Sequence, residues 1–236
     1  MACDALQRRF AALDDHRPRD HAIAIETGDA ADLRALARFH YAARRPGPIA
    51  RVLRAADADG ELAGVLVASM PTLNDRWRSI AWPGEYDHAD QRTRAEAINA
   101  DLRLISRVIV DPRYRGRGVA VRLVRAYLAD PCTRRTEAIA AMAHACPFFA
   151  RAGMRPIPLE PSQADRRLAR VLGRRGVDAE SLAVGGIDDP RLHVALGAWA
   201  RARRLAERSP ERLAMRAYAA LAYPPIAFVH DAGARP

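Results

Sequence analysis

Apolar residues along this chain change period several times, and each change predicts an element. Leu104, Ile105, Val108, Ile109 and Val110 make a β-branched and apolar run long enough for one buried strand, and Asp111-Pro112 ends it as a turn. Val119, Leu123, Ala126 and Tyr127 then recur at spacings of three and four, the stripe of an amphipathic helix. Upstream, His21 to Glu26 reads as a first strand. Thr27, Gly28 and Asp29 supply a turn and a cap, and a helix is expected through about Tyr41 with Asp29 and Asp32 favouring its start. Arg51 to Ala56 and Glu61 to Met70 follow as a hairpin pair joined by a turn at Asp57 to Gly60. After the central helix, Asp130 to Thr133 breaks the chain, and Arg134 to Ala141 predicts a short strand weakened by its alanines.

Three segments lie outside this alternation. Ala5, Leu6, Phe10 and Leu13 share one helical face, an amphipathic arm over residues 1–20. Between the third and fourth strands, residues 71–100 carry Trp77, Trp82 and Tyr86 among charged residues, with a helix from Arg92 to Ala100. That connection is too long for an ordinary loop, so it needs its own elements or serves as a lid. Its tryptophans are open to two readings: a wall that stacks on an acceptor or a base, or a miniature core that pins the insertion. The prolines from Arg155 to Pro161 are expected to lead the chain out of a core spanning 21–160. Residues 161–236 then form a helical C-terminal extension, with Leu168 and Leu172 on one stripe, Leu192, Leu196 and Trp199 on another, and Ser209-Pro210 starting a third helix.

Composition narrows the partners without choosing one. The 236 residues hold 38 basic and 28 acidic side chains, a formal charge of +10, and every basic one other than histidine is arginine. Such a charge attracts nucleotides, nucleic acid or acidic surfaces alike. Cys3, Cys132 and Cys146 are too few and too scattered for a disulfide scaffold or a metal cluster, so no metal site is expected. The first twenty residues lack the apolar core of a secretion signal and no run approaches a membrane span, so a cytoplasmic location is expected.

The chemistry concentrates between the buried strand and the helix. Gly116 and Gly118 let a backbone come close to a ligand, and the first amides of a helix beginning near Gly118 have no intrahelical partner. An anion is favoured there, and Arg113, Arg115 and Arg117 raise the local positive potential. Arg113-Tyr114-Arg115-Gly116-Arg117-Gly118 resembles the Arg/Gln-x-x-Gly-x-Gly/Ala signature of the GCN5-related N-acetyltransferase family. Pro147 to Met154, reading PFFARAGM, looks like that family's second signature, a short aromatic helix ended by glycine and an apolar residue.

The resemblance covers about residues 21 to 158 and implies an α/β fold, a mixed, splayed central sheet with flanking helices. It implies transfer of an acyl group, acetyl by default, from acyl-coenzyme A to an amine by direct attack on the thioester. Backbone groups at Val108, Ile109 and Val110 are then expected to pair with the pantetheine arm. Amides of Arg115, Gly116, Arg117, Gly118, Val119 and Ala120 are expected to hold the pyrophosphate, with Arg113 as the strongest side-chain candidate. A neutral amine is needed for attack, so a base or a water chain must take its proton, and a donor must meet the negative charge that develops on oxygen. Glu137 is the preferred base. Where many relatives carry a tyrosine that protonates the thiolate, this chain has Phe148 and Phe149, so His144, Cys146, Tyr114, Tyr41 or water takes that place. His40 and Tyr41 lie where relatives shape the acceptor entrance. The acceptors implied are a small amine, an aminoacyl group or a protein amine. A DNA base amino group, which would make nucleic acid the partner, a coenzyme-binding protein without turnover, and a homodimer built on the helical tail stay open as alternatives.

Overall fold

The computed structural model describes residues 23–40, 46–75, 77–184, 189–207 and 209–233. The expected N-terminal arm and Tyr41 fall outside them. The described chain runs β1 (Ala24–Thr27), α1 (Ala30–Leu36), a 3-10 turn (Ala37–Phe39), β2 (Ile49–Ala56), β3 (Leu62–Ser69), α2 (Arg78–Ala81), α3 (Gln91–Asp101), β4 (Leu102–Val110), a 3-10 turn (Pro112–Tyr114), α4 (Val119–Ala129), β5 (Arg135–Ala140), α5 (Phe148–Arg151) and β6 (Arg155–Pro158). It continues through α6 (Gln163–Gly173), a 3-10 turn (Glu180–Leu182), α7 (Pro190–Ala202), α8 (Pro210–Ala222) and β7 (Ile226–Asp231). Contacts divide the chain into two compact units. One reaches Pro158 and resumes at Ile226; the other is Leu159–Pro225.

In the first unit, seven strands form one open sheet in the order β1-β2-β3-β4-β5-β7-β6. Every neighbouring pair is antiparallel except β4 with β5. Strand alternation separates the faces. Leu66, Ala68, Ile105, Ala138 and Ala140 meet α4 through Leu123, Val124 and Tyr127, whereas Val65, Val67 and Ile109 meet α1 through Leu36. Helix α1 starts as its acids predict. Asp29 caps the amides of Ala31 and Asp32, and the Asp32 carboxylate accepts from the Asp29 amide at 2.9 Å, a reciprocal box.

Two expectations for the C-terminal part are corrected. Arg155–Pro158 is strand β6, so the prolines do not yet lead out of the core, and proline is tolerated there because β6 is an edge strand. The extension is not helical to the end. Ile226–Asp231 returns as β7 and pairs with both β5 and β6, so Leu159–Pro225 is an insertion between two sheet strands. Phe228 is fully buried, with its ring 5.4 Å from Phe149. Phe228→Ala is therefore expected to cost about 3–5 kcal/mol in urea unfolding. A loss under about 1 kcal/mol would instead mark β7 as peripheral.

The second unit has its own core of Leu168, Leu172, Leu182, Leu192, Leu196, Trp199 and Leu213. Asp165 organises it from beneath. Its carboxylate closes a capping box with Ser162 and accepts from the Trp199 indole at 2.8 Å and from Arg203 at 2.8 Å. No helix among the described residues is long and apolar enough to cross a membrane.

Candidate active site

The site begins where β4 and β5 part. They pair in parallel only from Leu102↔Arg135 to Ile105↔Ala138. Beyond that rung β4 stays with β3, through Arg107↔Val67 to Val110↔Gly64, while β5 turns to β7. Ser106 is the extra residue of a register shift between β3 and β4, a bulge that bends β4 at the point of parting. Its hydroxyl donates to the Val67 carbonyl at 3.2 Å. Past the bulge, the β4 backbone facing β5 has no strand partner among the described residues, so Val108, Ile109 and Val110 lie along an open strand edge.

The same strand leads into the basic loop. Gly116 and Gly118 both hold positive φ, 77° and 76°, the left-handed region that favours glycine. A side chain at Gly116 would meet nothing within 4 Å, so the space over the loop is open. Gly118 caps α4 with no side-chain acceptor, and the first intrahelical bond is Arg122 N–H to the Gly118 carbonyl at 3.0 Å. The amides of Val119, Ala120 and Val121 precede it and carry the positive end of the helix dipole.

The arginines of the loop are exposed, and Arg113 is committed elsewhere. Its guanidinium donates to both oxygens of Asp111 at 3.1 and 3.2 Å, and its backbone N–H adds a third bond at 2.9 Å. These bonds hold the Asp111 carboxyl below the usual carboxylate range. Arg113 and Arg117 lie over the Tyr114 ring at 5.6 and 5.4 Å, and the Tyr114 hydroxyl donates to Asp57 in the β2–β3 turn. The Asp57 bond pushes the Tyr114 hydroxyl upward in pKa, which makes this tyrosine a tie for the loop. The Arg115 Nε donates to the Val110 carbonyl at 3.3 Å.

Glu137 lies one rung before the strands part, opposite Leu104, and is fully buried. One oxygen accepts from Arg78 Nη2 at 2.5 Å; the other accepts from Arg78 Nε at 2.9 Å and from the Trp77 indole at 3.2 Å. Burial outweighs these partners and raises its pKa. Two residues away on the same strand face, Arg135 binds Glu85 at 3.0 Å and Asp101 at 2.9 Å, and lies 5.2 and 5.4 Å from the Trp82 and Tyr86 rings. Trp82 and Tyr86 are buried in a T-shaped pair. The insertion is thus pinned by one charge of each sign from β5. Its Trp82 and Tyr86 are the miniature core, not exposed platforms for a base. Sequence reasoning missed Arg78 and Arg135. Two charged residues on one face of an alanine-rich strand, Arg135 and Glu137, were the available signal.

The second signature is also packed inward. Phe149 is buried, with the Phe148 ring 4.4 Å away, and Gly153 ends the short helix at φ 99°. His144 is half-buried in the turn after β5, and Cys146 is an exposed free thiol. His40 closes the 3-10 turn after α1, half-buried.

An open sheet whose parallel middle strands part beside a helix N-terminus without a side-chain cap offers an extended ligand a strand edge and its anionic end a positive helix terminus. The sequence model described as Acetyltransferase (GNAT) family matches residues 11–154, more than half of the chain, and the chain belongs to that family. It is an acyl-CoA-dependent N-acyltransferase, and its donor is acyl-CoA. No curated protein sequence matches. Similar solved structures include Arabidopsis thaliana NAA60 in complex with acetyl-CoA, at 20% identity and TM-score 0.41, covering 58% of this chain and 86% of that one. Escherichia coli YhbS, in complex with CoA, has 19% identity and TM-score 0.36 over 59% of this chain and 72% of its own. An agmatine N-acetyltransferase has 17% identity and TM-score 0.35 over 58% and 84%.

Proposed function

We propose that the chain acetylates a small amine at the β4–β5 opening by direct attack on the thioester. The observation that carries this is the meeting of an unpaired β4 edge past Ser106 with the uncapped start of α4. Both fit the donor: an extended edge suits the amide-bearing arm, and amides at a positive helix end suit a pyrophosphate. Val108, Ile109 and Val110 hold the arm, and the amides of Arg115 to Ala120 hold the phosphates. Arg113 braces the loop through Asp111, while Arg115 and Arg117 supply potential at its rim. Bound acyl-CoA supplies the thioester carbonyl that the amine attacks.

In the transfer a nitrogen–carbon bond forms, the carbon–sulfur bond breaks, and the amine loses one proton. Glu137 is a poor acceptor for that proton, because both its oxygens already take hydrogen bonds from Arg78 and Trp77. It anchors the acceptor wall instead. His144, half-buried after β5, handles the proton through water. Phe148 and Phe149 have no proton to give, so solvent protonates the thiolate. His144→Gln is expected to lower kcat about a hundredfold, with acyl-CoA affinity unchanged. An unaltered kcat would remove His144 from the reaction.

The deciding experiment is mass spectrometry after incubation with acetyl-CoA and a panel of amines, amino acids and peptides, with coenzyme release followed in parallel. A product heavier by one acetyl group, matched by thiol release, supports the reading. Coenzyme binding without any product across donors and acceptors would end it.

A further inference from the structure

Ile139 is exposed where an interior strand ordinarily buries such a side chain. It lies in β5, between β4 and β7, and pairs with Ala227, yet it is 42% exposed. Its neighbours along the strand, Arg135 to Ala138 and Ala140, are all buried. Ala138 is the last β5 residue paired with β4, so Ile139 is the first past the point of parting. A lone apolar side chain at a strand end or on a helix carries little meaning, as with Ile49, which opens β2, and Ile80 on α2. Ile139 differs because it borders the opening itself.

Strand alternation tells which face of the opening it borders. Ala138 and Ala140 belong to the core that holds Leu123, Tyr127 and Phe149, so the α4 face of β5 is closed. Arg135, Glu137 and Ile139 share the opposite face. The insertion covers Glu137 through Arg78 and Arg135 through Glu85, but its cover stops short of Ile139. Exposed Ala141 and Met142 follow, Met142 within about 10 Å of Ile139 along the chain. The Met142 carbonyl accepts from the Ala145 and Cys146 amides at 3.1 and 2.8 Å, which fixes the turn that carries His144. An uncovered apolar strip therefore leads from the parting strands to the turn of the residue assigned the amine's proton.

We propose that Ile139, with Met142 beyond it, determines acceptor specificity and selects a primary amine on an uncharged hydrocarbon, whose carbons lie along this strip while its nitrogen meets the thioester; the proposal rests on the acyl-transfer reading of the β4–β5 opening. With phosphates at the glycine loop and the arm along Val110 to Val108, the acyl end falls at the parting, beside Ile139. Nitrogen bonds to the acyl carbon there, coenzyme A leaves as the thiolate, and the amine's proton passes to water at His144. Charge argues against a polyamine or an amino acid. Glu137 is buried and takes bonds on both oxygens from Arg78 and Trp77, so it offers nothing to a second ammonium. A second charge of either sign would lose water against Ile139 and Met142 and gain no hydrogen bond from them.

The test uses the full chain, acetyl-CoA and probes matched in length: hexylamine, cadaverine and aminocaproate, which end in methyl, ammonium and carboxylate. Phenethylamine with its ring aminomethyl and ring carboxylate derivatives makes an aromatic set. Transfer is read as thiol release, and binding by calorimetry on the coenzyme A complex. In at least one set the uncharged member is expected to exceed both charged ones about tenfold or more in kcat/KM. Ile139→Thr with Met142→Gln is expected to cut that preference below about threefold, since the apolar contact is gone while β-branching and chain length are kept. Coenzyme A affinity and the thermal midpoint should hold, because both side chains are exposed. Equal use of charged and uncharged amines overturns the proposal and leaves the transfer reading standing. A preference that survives the double variant overturns it too. So does a double variant that alters only the choice between acetyl-CoA and hexanoyl-CoA, which would give the strip to the donor. Without thiol release from any probe, a binding preference lost in the variant keeps the strip and removes the transfer reading; no preference in binding removes the strip as well.

Discussion

The double variant Gly116→Val with Gly118→Val is expected to bind acyl-CoA about a thousandfold more weakly while remaining folded. Both positions sit near φ +77°, and a β-branched residue there costs of order 1–3 kcal/mol each. The loop escapes that strain by rotating its peptides, which turns the amides ahead of α4 away from their common focus. Nothing within 4 Å would collide with a side chain at Gly116, so at that position the damage falls on amide direction and open volume, not on core packing. Val119, Leu123 and Tyr127 keep their contacts, so the urea midpoint should fall only by the strain itself. Gly116→Asn is the discriminating control. Asparagine tolerates the left-handed region, so most of the affinity should return if conformation is the cause. Calorimetric titration with coenzyme A reads all three proteins. Undiminished affinity in the folded double valine variant would exclude the loop as the phosphate cradle.

The parts of this site legible in sequence are those built from neighbours. Strand β4, the glycine loop and α4 lie within Leu102–Ala129, and local periodicity and turn chemistry determine them together. The box of Asp29 with Asp32 joins residues three positions apart and was equally visible. What periodicity could not supply were contacts between distant segments. Strand β7 is a short apolar run whose partner β6 precedes the whole unit Leu159–Pro225, so its pairing carries no local signature. Two prolines disguised β6, and only its place at the sheet edge makes them acceptable. The base assignment for Glu137 relied on its nearness to the cleft. Its actual partner lies 59 residues away, on a four-residue helix inside the insertion. The aromatic insertion resembled a recognition surface because tryptophan, tyrosine and arginine serve binding and packing alike. Burial of Trp82 and Tyr86 under Arg135 separates the two uses.

Arg78→Met is expected to destabilise the protein by about 3–5 kcal/mol at neutral pH, because it leaves a fully buried carboxylate with only the Trp77 indole as partner. The double variant Arg78→Met with Glu137→Leu should recover most of that loss, since removing both charges also removes the cost of burying them. The sign with pH follows from the direction of the Glu137 shift. Burial already places its folded pKa above the ordinary glutamate value, and losing Arg78 raises it further. Such a group stabilises the fold below its unfolded pKa and loses that contribution as pH rises through the folded one. The gap between Arg78→Met and the parent should therefore widen as pH rises above the ordinary glutamate range and narrow toward that range, where the carboxyl is protonated in both states. Urea unfolding at several pH values measures it. A gap independent of pH would show that Arg78 acts by packing alone. In that case the recovery by Glu137→Leu should also fail, so two independent readings address one ion pair.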